Sequence, residues 1–294
     1  MDQLITMFCD IDDFCKRFEP AYQRLLLPTG PHHRMRSPAL ALSEMLTILV
    51  YFHWSHYRPF KHYDTEYVVA HLHPSFPPLL SYQRFVALIP RTLVPLCRYL
   101  STRKGRATGM AFIDSTPLAV CDHHGIAPHR SFEGLATRGK TAMGWCHGFK
   151  WHIVVNDEGA LLAVWLTPGH VDDRQPVGRL VAGLRGPLFG DRGYISQALH
   201  DVLRRQGLEL LTQIRRNMQK RVMRLWDTRL LRKRALIETI NDQLKNISQI
   251  EHTRHRGVTG FMVKLVAGLV VYSYRPKKPS LGLRRDALRP MLVV

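Results

Sequence analysis

From residue 110 onward the chain presents an order of apolar segments that few folds accommodate. Met110–Asp114 reads as a short buried strand and Phe149–Asn156 as a second. Ala160–Leu166 reads as a third, joined to the second through the turn residues Asp157, Glu158 and Gly159. A helix-like stretch, Pro176–Leu184, leads to a fourth strand at Pro187–Gly190. Ser196–Gln206, a helix closed by Gly207, leads to a fifth at Leu208–Ile214, and Arg229–Ile250 reads as one long helix. The predicted order is β-β-β-α-β-α-β-α. Hairpin-linked strands followed by helix–strand units build a mixed sheet flanked by helices, an α/β fold.

The preceding segment is helical by its periodicity. Asp2–Phe18 spaces Leu4, Ile5, Phe8, Ile11, Phe14 and Phe18 mostly three or four residues apart, which makes one apolar helix face. Ser37 and Pro38 read as an N-cap and first helical position for the run Ala39–Phe52. Ser81 opens another helix at Tyr82, limited by Pro90 and Pro95. The polar, basic stretch Ser101–Gly109 reads as a linker. The expected organisation is a small helical domain over 1–100, a linker over 101–109, a catalytic domain over 110–274 and a basic tail over 275–294.

Charge narrows the function. The 294 residues carry 42 Lys+Arg against 23 Asp+Glu, a net charge of +19, while the hydrophobic share of 45% and charged share of 22% are those of a folded protein. Such a chain seeks a polyanion. No apolar window approaches the length of about 18 residues that a membrane span requires, and no basic amphipathic helix with an aromatic lipid face is present. Nucleic acid is therefore the expected partner. No secretory signal pattern opens the chain and the five cysteines show no paired spacing, so a cytoplasmic location with reduced thiols is expected.

The charge is unevenly placed: net +5 over residues 1–110, +1 over 111–206 and +13 over 207–294. Arg215, Arg216, Lys220, Arg221, Arg224, Arg229, Arg232, Lys233 and Arg234 include only Asp227 as an acid among them. That run is expected to track phosphates, with Trp226 as a base-stacking candidate. In the helical domain, Arg84 on the Ser81 helix is the residue expected in a DNA groove.

Three carboxylates occupy special positions. Asp114 ends the first strand within Phe112-Ile113-Asp114-Ser115-Thr116, where a charge in an apolar run needs a partner or a purpose. Asp191 follows the fourth strand, with Gly190 and Gly193 close by to admit something near the backbone. Glu238 lies on the last helix. First and fourth strands of such a sheet are commonly neighbours, so the three can converge into a hard-oxygen site for Mg²⁺, of the kind used in two-metal phosphoryl transfer. Arg234 and Lys245, four residues before Glu238 and seven after it, share its helix face and are expected to grip DNA phosphates.

These segments, with Arg138–Trp145, Gly148–Lys150 and Gln249–Arg256, resemble bacterial insertion-sequence transposases of the DDE type, specifically the insertion-sequence-982 family. The resemblance covers roughly residues 110–274. It implies a ribonuclease-H-like catalytic fold with Asp114, Asp191 and Glu238 as catalytic metal ligands for two Mg²⁺ ions, Mn²⁺ being an acceptable substitute. It also implies cleavage at the element ends and transfer of the freed 3′-hydroxyl strand into target DNA. Synapsis of two ends suggests a homodimer on DNA, acting at the bacterial nucleoid. Related transposases carry a tyrosine, arginine, glutamate, lysine signature. Arg234, Glu238 and Lys245 match its last three positions, but the tyrosine position is Leu231, so that tyrosine's contribution is either absent or supplied by another residue such as Tyr194.

Other readings stay open at this level. The same metal site could serve a divalent-metal-dependent nuclease without strand transfer, or the chain could be a non-catalytic DNA-binding remnant. Asp172 and Asp173 form a rival carboxylate pair. Cys121, His123, His124, His129, Cys146, His147 and His152 match no standard zinc spacing and are not expected to bind zinc.

Overall fold

The computed structural model describes residues 2–26, 39–121, 131–141, 144–213, 224–251 and 257–283. The chain divides into two units, Met1–Arg103 with Leu244–Tyr274, and Lys104–Gln243 with Arg275–Val294.

The first unit is all helical. It contains α1 (Asp2–Leu26), α2 (Leu42–Trp54) and α3 (Phe60–His62), which continues with wider π-type bonding over Tyr63–Leu72. It also holds α4 (Tyr82–Leu88), α5 (Leu93–Thr102) and, far along the sequence, the helix Val258–Ser273. Leu4, Met7, Ile11 and Phe14 bury one face of α1, whereas Ile5 is 55% exposed. The true stripe thus runs through Met7, and Ile5 lies beside it. Helix α2 begins later than expected. Its N-cap position is Ala41, whose N–H donates to Glu44 Oε2 at 2.7 Å, while Ser37 and Pro38 lie outside the described residues.

The helix Val258–Ser273 is buried almost continuously from Phe261 to Tyr272. A helix that is apolar all round belongs inside a core. Val263, Val266, Ala267, Val270 and Val271 join the cluster formed by α1 and α2, and Arg103 lies over the Tyr274 ring at 4.2 Å while pairing with Asp10 at 3.1 Å. Leu244–Tyr274 thus groups with the N-terminal helices, whereas the expected catalytic domain ran through to 274. Among the described residues no helix is long and apolar enough to cross a membrane.

The second unit is built on a six-stranded sheet of β1 (Ala111–Cys121), β2 (Thr137–Thr141), β3 (Gly144–Val155), β4 (Leu161–Pro168), β5 (Gly186–Gly190) and β6 (Leu208–Thr212). Strand β3 runs antiparallel to β1 on one side and to β2 and β4 in succession on the other; β5 lies parallel to β1, and β6 parallel to β5. Four antiparallel strands extended by two parallel ones form a ribonuclease-H-like mixed sheet, as expected. Strand β2 was not foreseen because Thr-Arg-Gly-Lys-Thr contains no apolar residue and so shows no alternation. The described part of the tail is tied to this unit, Leu281 N–H donating to the Asp157 carbonyl at 2.9 Å.

One sheet face packs Ala111, Ile113, Val154, Leu188 and Tyr194 against α6 (Val177–Leu180) and α7 (Gln197–Arg205), with Leu199 and Leu203 buried. Side chains alternate along a strand, so Phe112 and Asp114 point to the opposite face, where Phe112 stacks on Phe189 at 5.1 Å. That face meets α8 (Leu225–Arg232) and α9 (Ala235–Asp242). These two helices replace the single long helix expected over Arg229–Ile250. The break falls at Lys233 and Arg234, the C-cap of α8 and the N-cap of α9.

His152, fully buried on β3, contacts Thr167 Oγ1 through Nε2 at 2.9 Å, and burial holds its pKa down at about 4. The unfolded chain takes up a proton near pH 6.5, the folded one only near 4, so stability is present above 6.5 and is lost as pH falls through that window. The difference corresponds to on the order of 3 kcal/mol by pH 4. Thermal unfolding between pH 7 and pH 4 is expected to show a steeper loss of stability in the parent protein than in His152→Gln; equal slopes would contradict the assignment.

Candidate active site

The site begins with β1, whose alternation buries Ile113 on one side and turns Asp114 toward α9. Its neighbour β5 pairs Leu188 with Ala111 and Phe189 with Phe112 and ends one residue later at Gly190, so Asp191 leaves the sheet beside Asp114. Asp191 caps a short 3₁₀ turn over Arg192–Tyr194, its Oδ1 accepting from Gly193 N–H at 2.8 Å. Glu238 comes from the first turn of α9, with its side chain 55% exposed.

Arg234 and Asn241 link these elements. Arg234, at the N-cap of α9, donates from Nη1 to Asp114 Oδ1 at 3.4 Å and from Nη2 to Glu238 Oε1. Asn241, buried three residues after Glu238, donates from Nδ2 to Asp114 Oδ2 at 2.8 Å. Its Oδ1 accepts from the indole N–H of Trp151 at 3.1 Å, and Trp151 is fully buried on β3. The indole therefore fixes which way the amide faces, and both Asp114 oxygens are engaged.

Burial pushes the Asp114 carboxyl up to about 7; Arg234 opposes the rise, while Asp191 and Glu238 add to it. Asp191 and Glu238 thus both act on Asp114 as like charges. Among the described residues no three His, Cys, Asp or Glu side chains are gathered tightly enough to hold a metal ion. The donor chemistry nevertheless fits one. Asp114, Asp191 and Glu238 are hard-oxygen side chains of the type that Mg²⁺ prefers, and Arg234 is the positive charge between Asp114 and Glu238.

The other expected residues are scattered. Lys245 lies in a π-helical turn, Gln243–Ile247, which shifts the angular register after Asp242, and it pairs with Glu251 at 3.2 Å. Arg224, Arg232 and Lys233 are exposed on and beside α8, and Trp226 is half-buried. Arg84 is exposed on α4 in the helical unit. Arg215, Arg216, Lys220 and Arg221 lie outside the described residues, as do His123, His124 and His129. Leu231 is a core residue, and Tyr194 is buried with Ile113 and Val154 on the sheet face away from Asp114. The rival acids are both in ion pairs, Asp172 with Arg174 at 2.5 Å and Asp173 with Lys150 at 3.0 Å. Sequence reasoning missed Asn241; the available signal was an amide in the interior of a helix, where such residues are disfavoured without a partner.

A family model described as a transposase DDE domain matches residues 104–258. The chain belongs to the DDE-domain transposases. The matched stretch of this DDE-domain chain takes in Asp114, Asp191, Arg234, Glu238 and Asn241. Among solved structures, the chain is similar to the piggyBac transposase in a cryo-electron-microscopy synaptic complex with hairpin DNA, with a TM-score of 0.48 and 10% identity over 97% of this chain and 76% of that one. A second similarity is to a chain of the simian T-cell lymphotropic virus intasome in complex with the PP2A regulatory subunit B56 gamma, with a TM-score of 0.22 and 13% identity over 58% of this chain and 66% of that one. No curated protein matches.

Proposed function

We propose that this DDE-domain chain is an active DNA transposase of the insertion-sequence-982 kind, working on the ends of its own element in the bacterial nucleoid. The observation that supports the reading is that Arg234 bonds both Asp114 on β1 and Glu238 on α9, while the β1–β5 register brings Asp191 out of the sheet alongside Asp114. Asp114, Asp191 and Glu238 would hold two Mg²⁺ ions, or Mn²⁺ in their place, which when bound neutralise charge on the transferring phosphoryl group and make the attacking oxygen more acidic.

The chain's own residues set the rest. Asn241 holds one Asp114 oxygen in place. Arg234 turns from the carboxylates to a DNA phosphate, and with Lys245 grips the backbone beside Glu238. Arg215, Arg216, Lys220, Arg221, Arg224, Arg232 and Lys233 extend that grip, Trp226 stacks on a base, and Arg84 adds a contact from the helical unit. Water breaks the P–O3′ bond at the element end, and the freed 3′-hydroxyl displaces the corresponding oxygen of a target phosphodiester. Holding two ends together calls for a homodimer on DNA.

The test is incubation of the protein with duplexes spanning the genomic termini that flank its coding sequence, with Mg²⁺ or Mn²⁺, and mapping of products to the nucleotide. A single cut leaving a 3′-hydroxyl at the element boundary is expected. Cuts scattered along the duplex, or none, would contradict the reading.

A further inference from the structure

The ribbon formed by β2 and the first half of β3 has no part in the carboxylate site. Strands pair here as Arg138 with His147 and Lys140 with Trp145, so Arg138, Lys140 and Trp145 share one face. Trp145 is 52% exposed, and the Arg138 guanidinium lies over its ring at 4.6 Å. Among the described residues neither Arg138 nor Lys140 has an acidic partner, and no acidic residue occurs anywhere between Glu133 and Asp157. An exposed indole with two cations on a ribbon devoid of acid is an unusual surface for mere solvation.

The ribbon is also held firmly at its base. Thr137 Oγ1 meets His170 Nδ1 at 2.8 Å and accepts from the His170 N–H at 3.0 Å. Gly139 passes so close to Gly169 that a Cβ there would lie 2.0 Å from the Gly169 carbonyl oxygen. Strand β5 ends at Gly190, whereas β1 and β3 continue together as far as Cys121 and His147, so the ribbon projects past the sheet edge that bears Asp114. Asp114 lies opposite Ile153, eight residues along β3 from Trp145, which places the indole about 26 Å away at 3.3 Å per residue.

We infer that this ribbon is a second DNA contact, lying against duplex about 8 base pairs from the phosphate held at the carboxylates. A two-stranded ribbon fits the major groove. Arg138, kept in orientation by the Trp145 face, and Lys140 engage backbone phosphates there. The inference rests on the reading that the carboxylate site cuts DNA, and it adds the element's subterminal base pairs to what the protein holds.

The test compares the full-length parent with Arg138→Ala/Lys140→Ala on a labelled duplex of about 40 base pairs carrying the genomic terminus, by hydroxyl-radical footprinting and by affinity against salt. The expected result is that protection at the cut site persists while protection about 8 base pairs inward is lost, and that the salt slope falls by about 1.8, or 0.9 per phosphate contact. Trp145→Phe should retain the inner protection and Trp145→Ala should weaken it. Circular dichroism of each variant separates this from unfolding. An inner footprint and slope identical to the parent's would overturn the ribbon contact while leaving the functional reading intact; no footprint at the cut site in the parent would overturn both.

Discussion

Asp114→Ala is expected to lower cleavage at the element end at least about 1,000-fold, the loss of roughly 4 kcal/mol of transition-state stabilisation. Asp114 is the carboxylate on which the other groups converge. It takes bonds from Arg234 and Asn241, and its charge is felt against those of Asp191 and Glu238. Removing it also leaves Arg234 with Glu238 alone. The fold should survive, because burying this carboxylate beside other acids is itself costly and the neighbouring core residues, Phe112 and Ile113, are untouched. Binding of terminal DNA should change little, so cleavage and affinity measured on the same preparation separate a chemical defect from a structural one. Retention of more than a tenth of the parent rate would remove Asp114 from the chemistry.

Trp151→Ala carries the largest expected effect on stability, a loss of about 3–5 kcal/mol, since it empties a fully buried indole site in the middle of β3. Trp151→Phe is the more informative variant. It keeps most of the packing but removes the N–H that Asn241 Oδ1 accepts, leaving that oxygen buried without its donor at a cost of about 1–3 kcal/mol. In an Asn241→Leu background the Phe substitution should cost less, because the partner is already absent. Chemical denaturation of the four proteins measures the coupling. Additive effects would show that the indole contributes by packing alone.

Much of this architecture is legible in the sequence, for identifiable reasons. Strands with strong apolar runs, such as Phe112–Ile113 and Leu188–Phe189, declare themselves, and with them the two aspartates that follow. The spacing of Arg234 and Glu238 allows an i,i+4 pair, and the structure forms it. Strand β2 is illegible because it is held by backbone pairing to β3 and by contact with Gly169, neither of which leaves an apolar signature. The return of Val258–Ser273 to the helical unit is illegible for a different reason. An all-apolar helix reveals that it is buried but not in which core. Asn241 escapes notice because its role depends on Trp151, ninety positions away.

The proposed transposition requires the carboxylate site to join DNA as well as cut it. Its most direct test supplies labelled terminal duplex and a circular target plasmid to the protein with Mg²⁺, and looks for covalently joined donor and target strands. The parent protein is expected to give joined products whose linkage runs through the donor 3′-hydroxyl, and Asp114→Ala none. Free 3′-hydroxyl ends with no joined strands, under conditions where the parent cuts efficiently, would show a nuclease and contradict the claim.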